Sequence, residues 1–197
     1  RVKKNGLRVQ ELFTGKEIGP ELFAKIEENE NLIDEYRKMI TSFLLSLSQK
    51  SLSERDAHVV GNSITAAANL EKFADFLANI AIQFRSFKDN GLNLSKEGQE
   101  GLASLTDKLM NFFNDTVKTL EVELKDANEF LKNAENRKRE LKAEIREAKI
   151  AHFNRLKEGK CMEEASMIYI EMLTNLDGMA SQVHNIAEVG AGHKFWT

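Results

Sequence analysis

The segment NLEKFADFLANIA, residues 69–81, returns as NLDGMASQVHNIA at residues 175–187. The copies keep Asn69/Asn175, Leu70/Leu176, Ala74/Ala180 and the closing Asn-Ile-Ala, but Glu71 becomes Asp177 and Asp75 becomes Ser181. Such self-similarity indicates one structural unit used twice. Leu70, Phe73, Leu77 and Ile80 recur at three-and-four spacing, which predicts a helix with one apolar seam. Residues 71, 75 and 79 form a ridge along that helix, at ~1.5 Å rise per residue, and the ridge points largely away from the seam. Packing accounts for the repeated Leu and Ile. It does not require the repeated Asn79/Asn185, so the outward ridge is where a function would lie.

Working outward, Pro20 suits the first turn of a helix over about 20–48, with Leu22, Ile26, Ile33, Tyr36, Ile40, Phe43 and Leu47 as its apolar stripe. Ser53 caps the next helix, with Glu54 and Asp56 in its first turn, and Gly91 in KDNG stops it. The second half follows the same plan. Ser95 opens a helix carrying Leu102, Leu105, Leu109, Phe112, Phe113, Val117 and Leu120; a highly charged helix covers about 126–157; a last one runs from about 162 to 189. LRVQELFT, residues 7–14, reads as the remnant of a shortened first helix. The expected fold is all-α: two tandem three-helix bundles in one domain, with repeat one at 1–90, repeat two at 95–190 and a short tail at 191–197. Turn signals at 49–53, 89–95 and 158–162 favour a folded-back bundle of antiparallel neighbours over a free coiled coil.

Composition supports the all-α reading and narrows function. The chain of 197 residues contains one Pro, so long uninterrupted helices are allowed. A net charge of -3 with both signs interspersed supplies no basic field, and nucleic acid is excluded as an expected partner. One cysteine, Cys161, rules out an internal disulfide and a cysteine-rich zinc site, which fits a reducing compartment. No apolar run reaches the roughly 18–20 residues that cross a bilayer, and RVKKNGLRVQ lacks the apolar core of a signal peptide. No nucleophile with a base, phosphate loop or catalytic metal signature is recognisable, so catalysis is not expected.

The helix holding each copy resembles the PhoU helix with the pattern LERIGDxAxNIA, and the resemblance is doubled in the right order. The run HFNRLKEGKCMEEASMIYIEMLTNLDGMASQVHNIAE, residues 152–188, is similar to the PhoU-like carboxyl-terminal domain of bacterial sodium/phosphate symporters. The resemblance implies a non-catalytic regulator of phosphate uptake on the cytoplasmic side of the membrane. Its implied partners are the membrane-transporter domain of the same protein and a second copy in a homodimer. The alternatives are a free-standing adaptor acting on a phosphate importer and a histidine kinase, or a bundle that only mediates oligomerisation. The resemblance also implies divalent metal on Glu/Asp-x-x-x-Asp pairs. Glu30 with Asp34 and Glu71 with Asp75 keep both pairs in half one, whereas Asp177 faces Ser181 in half two, where Glu140 and Glu144 are a further candidate pair. Oxygen ligands alone would suit Mg, Ca, Mn or Fe rather than structural zinc. Four carboxylates together need a cation or Lys72 to neutralise them.

A Glu and Asp at i, i+4 are ordinarily a solvated face. His58, His152, His184 and His193 lack the Glu-x-x-His spacing of di-iron bundles, and His184 reads as a surface or interhelix hydrogen-bond partner. Cys161 reads as a capping-region residue, NRKRELK as a salt-bridged solvated face, and Phe195 and Trp196 as tail residues packing on the bundle or in a dimer.

Overall fold

The computed structural model describes residues 1–49, 51–122 and 124–192. These form α1 (Val2–Leu12), α2 (Pro20–Ser48), α3 (Glu54–Asp89), α4 (Lys96–Val117), α5 (Ala127–Lys157) and α6 (Glu163–Gly192), with one 3-10 turn at Lys118–Leu120. No strand occurs among the described residues, and none of the described helices is long and apolar enough to cross a membrane. His193, Phe195 and Trp196 lie outside the described residues.

Local chemistry sets the helix ends. Pro20 occupies the first turn of α2, where its missing N–H costs nothing. Ser53, Ser95 and Asp126 accept from the backbone N–H groups of Asp56, Gly98 and Glu129, so three helices satisfy an otherwise orphaned donor through a side-chain cap. Gly91 ends the α3 turn at φ 66°, a conformation that disfavours a side chain.

α3 and α6 form an antiparallel central pair. One register runs its whole length: Asn185 Nδ2 donates to Asn69 Oδ1 at 3.3 Å, Phe76 covers Gly178, and Gln83 Nε2 donates to Glu171 Oε2 at 3.3 Å. Phe73, Leu77 and Ile80 on α3, and Met172, Leu176, Val183 and Ile186 on α6, lie in one continuous core. α4 closes the core from the second half: the rings of Phe73 and Phe113 stack with centroids 4.1 Å apart. Burial of a ring like Phe73, which is fully inaccessible, contributes about 2–3 kcal/mol.

Two expectations change here. The first helix starts at Val2 rather than Leu7, because Asn5 is buried as a polar clamp. Its amide donates to the Ile26 carbonyl at 3.0 Å and its oxygen accepts from Asn29 Nδ2 at 3.0 Å, which fixes α1 against α2. Arg1 Nη1 reaches Asn29 Oδ1 at 2.7 Å, so α1 begins beside the first half of α2. Among the described residues α2 packs only on α3 and α1, and its half past Ile33 is largely exposed. Tyr36, Met39, Ile40 and Phe43, three of them assigned to a core stripe by periodicity, are exposed, Phe43 by 62%. The period predicted the amphipathic face correctly but not what covers it.

Candidate functional site

The first-half carboxylates sit where α2 and α3 run antiparallel. Asp34 projects from α2 between two cations of its own helix: Arg37 Nη2 lies 3.2 Å from one oxygen and Lys38 Nζ 2.5 Å from the other. Hydrogen bonding from Lys38, followed by Arg37, holds the Asp34 carboxyl below its ordinary range. Arg37 also reaches across to α3, with Nε 3.1 Å from Glu71 Oε1. The Nε–H is not aimed at that oxygen, so this contact is an ion pair without a hydrogen bond. Arg37 thus joins Asp34 to Glu71, the role that Lys72 was expected to fill; Lys72 is exposed. Sequence reasoning missed Arg37, although its place three residues after Asp34 was the available signal.

Among the described residues Asp75 has no such ion-pair partner. Burial, then the charges of Glu71, Glu30 and Asp34, push its carboxyl up to about 6. Glu30 is raised as well, by burial first and then by Asp34, Glu71 and Glu27. Both side chains line a groove between α2 and α3 of about 530 Å³. Phe23, Ile26, Ala78 and Ile82 supply its apolar surface, and Glu27 joins Glu30 and Asp75 at the rim.

In the second half, Asp177 pairs with Lys142 of α5, Nζ to Oδ2 2.9 Å. Ser181 donates its hydroxyl to the Asp177 carbonyl at 3.3 Å, so it is engaged with its own backbone. Glu144 pairs with Lys108 at 2.6 Å. His184 Nε2 stands 2.8 Å from Glu135 Oε2, an interhelix contact between α5 and α6. Each half therefore links the copy of the acidic ridge position, Glu71 or Asp177, to a basic side chain on the neighbouring helix.

The donor set bears directly on metal. Glu30, Asp34, Glu71 and Asp75 are near enough to repel one another, yet no three His, Cys, Asp or Glu among the described residues are grouped to hold an ion. With a guanidinium already joining Asp34 and Glu71, the side chains as placed do not fit a divalent cation. Asp177 stands apart from them, on α6 and paired to α5.

The outward ridge thus divides. Asn79 is exposed, whereas its copy Asn185 is half-buried against Asn69.

Comparisons with known proteins agree with this architecture. The PhoU domain family matches residues 4–83, a stretch that contains most of α1, all of α2 and most of α3. The crystal structure of the phosphate transport system regulatory protein PhoU from Streptococcus pneumoniae superposes with a TM-score of 0.57, at 16% identity, over 96% of this chain and 86% of that one. No curated protein sequence matches the chain. The chain has a PhoU-like all-helical fold, and its first three helices are similar in sequence to the PhoU domain.

Proposed function

We propose that the chain is a non-catalytic regulatory domain that controls phosphate uptake through protein contacts. The observation that carries this reading is the PhoU domain match over residues 4–83 on a PhoU-like fold extending over the rest of the chain. Its more specific form is a domain on the cytoplasmic side of a membrane, acting on the transporter part of a sodium-dependent phosphate symporter. The similarity of residues 152–188 to the PhoU-like domain of such symporters supports that form. A second reading, an adaptor acting on a separate importer and kinase, is favoured by the likeness to a protein described as a phosphate transport system regulator. The acidic ridge enters neither reading as a metal centre, because Arg37 already neutralises part of it.

The test is phosphate uptake in cells producing the intact gene product or a version lacking residues 1–197. A sodium-dependent uptake that changes when the domain is removed supports the symporter form. Changed uptake through a separate importer supports the adaptor. Unchanged uptake in both settings would leave a bundle with only an oligomerising role.

A further inference from the structure

The α2–α3 groove differs from its counterpart in the second half in the residues at two matching positions. The repeated segments align Ala78 with His184 and Asp75 with Ser181. In half two the imidazole of His184 extends to Glu135 and bridges α5 and α6. In half one the methyl of Ala78 leaves that space open, and about 530 Å³ remains between α2 and α3. That is within the range of about 300–1,000 Å³ typical of ligand sites.

The rim is acidic, carrying Glu27, Glu30 and Asp75. Glu27, Glu30 and Asp75 form no ion pair among the described residues. Arg37 is held by Asp34 and Glu71, and Arg85, which also lines the groove, is paired with Asp89 at 3.7 Å. The floor is apolar, and Ile82 is 65% exposed at its edge. A small inorganic cation would use the carboxylates but not the floor, and no three donors are grouped for it. A Lys or Arg side chain uses both, laying its methylene stem on the apolar surface while its charged head meets the carboxylates.

We propose that this groove docks a Lys- or Arg-bearing amphipathic segment of a partner protein. The inference rests on the regulatory reading above and names the chemistry of the partner: apolar residues at helical spacing, flanked by cations that reach Glu30 and Asp75. Electrostatic complementarity of this kind sets partner choice and encounter rate more than raw affinity, so the docking is salt-sensitive.

The probe is a synthetic helix of Leu and Arg, about four turns long at ~1.5 Å per residue, titrated into the whole chain and followed by methyl NMR. The comparison probes are the same peptide with Glu for Arg, and the polyamine spermine. The expected result is movement of the Ile26, Ala78 and Ile82 methyl signals with the Arg peptide alone. Its affinity should fall about tenfold in Glu30→Gln/Asp75→Asn, and similarly in Ala78→His, which fills the space as His184 does in half two. The double amide variant keeps side-chain shape, and thermal unfolding of each variant checks its fold. Equal binding to the amide variant, shifts spread over the whole surface, or spermine moving the same methyls as tightly would each overturn the proposal. If the peptide fails to bind while removal of the domain still alters phosphate uptake, the groove assignment falls and the regulatory reading stands.

Discussion

Phe76 lies across Gly178 at the centre of the α3–α6 pair, so close that a Cβ on residue 178 would stand 2.5 Å from Phe76 Cζ and 2.9 Å from Cε1. The missing side chain is what lets the two long helices approach there. Gly178→Ala is expected to cost about 1–3 kcal/mol through overpacking. Phe76→Leu should recover part of that loss in the double variant, a coupling that urea denaturation of the four-member cycle measures. Additive losses would show that the two residues do not share the constraint.

Arg37 is a cation tethered within the acidic cluster. Arg37→Gln leaves Asp34 with Lys38 and leaves Glu71 without its cross-helix partner. The variant is expected to bind Mn(II) at least about tenfold more tightly than the wild type by calorimetry, since an ion no longer competes with the guanidinium. Equal heats for both proteins would show that Arg37 does not occupy the position a cation would take.

Asp75 makes stability depend on pH in a defined direction. Its folded-state value of about 6 lies above the ordinary 3.8, so the folded protein holds this proton more firmly than the unfolded chain. The resulting contribution is complete below about pH 4 and is lost as pH rises through 6. At pH 7.5 Asp75→Asn should be more stable than the wild type by about 1 kcal/mol, a figure discounted for the solvent screening of a half-exposed group. Near pH 4 the difference should vanish. A gap that stays constant from pH 4 to 7.5 in guanidinium titrations would refute the assignment.

The two kinds of apolar residue should respond to truncation to very different degrees. Phe73, fully buried and stacked on Phe113, is expected to lose about 3–5 kcal/mol as Phe73→Ala. Phe43→Ser, on the exposed half of α2, should change stability by no more than about 0.5 kcal/mol. A large loss at Phe43 would mean that something covers α2 in solution.

Most helix limits were legible because their signals are local. Pro20, Ser53, Ser95 and Gly91 each act on a neighbouring turn, and each stands where the structure begins or ends a helix. The seam of α3 was legible because Phe73, Leu77 and Ile80 face partners all along its length. The far half of α2 was not, since Tyr36, Ile40 and Phe43 carry the same spacing yet are exposed. The acidic ridge was readable as a cluster, but its neutralisation by Arg37 depends on how α2 sits against α3, and no motif records that rotation. The groove was hidden for the same reason: Ala78 becomes informative only once His184 is seen spanning to Glu135.

The α3–α6 register has an evolutionary consequence. In a symmetric homodimer, any substitution outside the shared interface appears twice, so both faces must serve the same purpose. Here the two matching helices belong to one polypeptide, and Asp75 and Ser181, or Ala78 and His184, can be inherited independently. One face is free to stay open and acidic while the other is stitched shut, without disturbing the contacts from Asn69 and Asn185 to Gln83 and Glu171 that hold the pair together. Two similar segments carried on one polypeptide leave room for asymmetry.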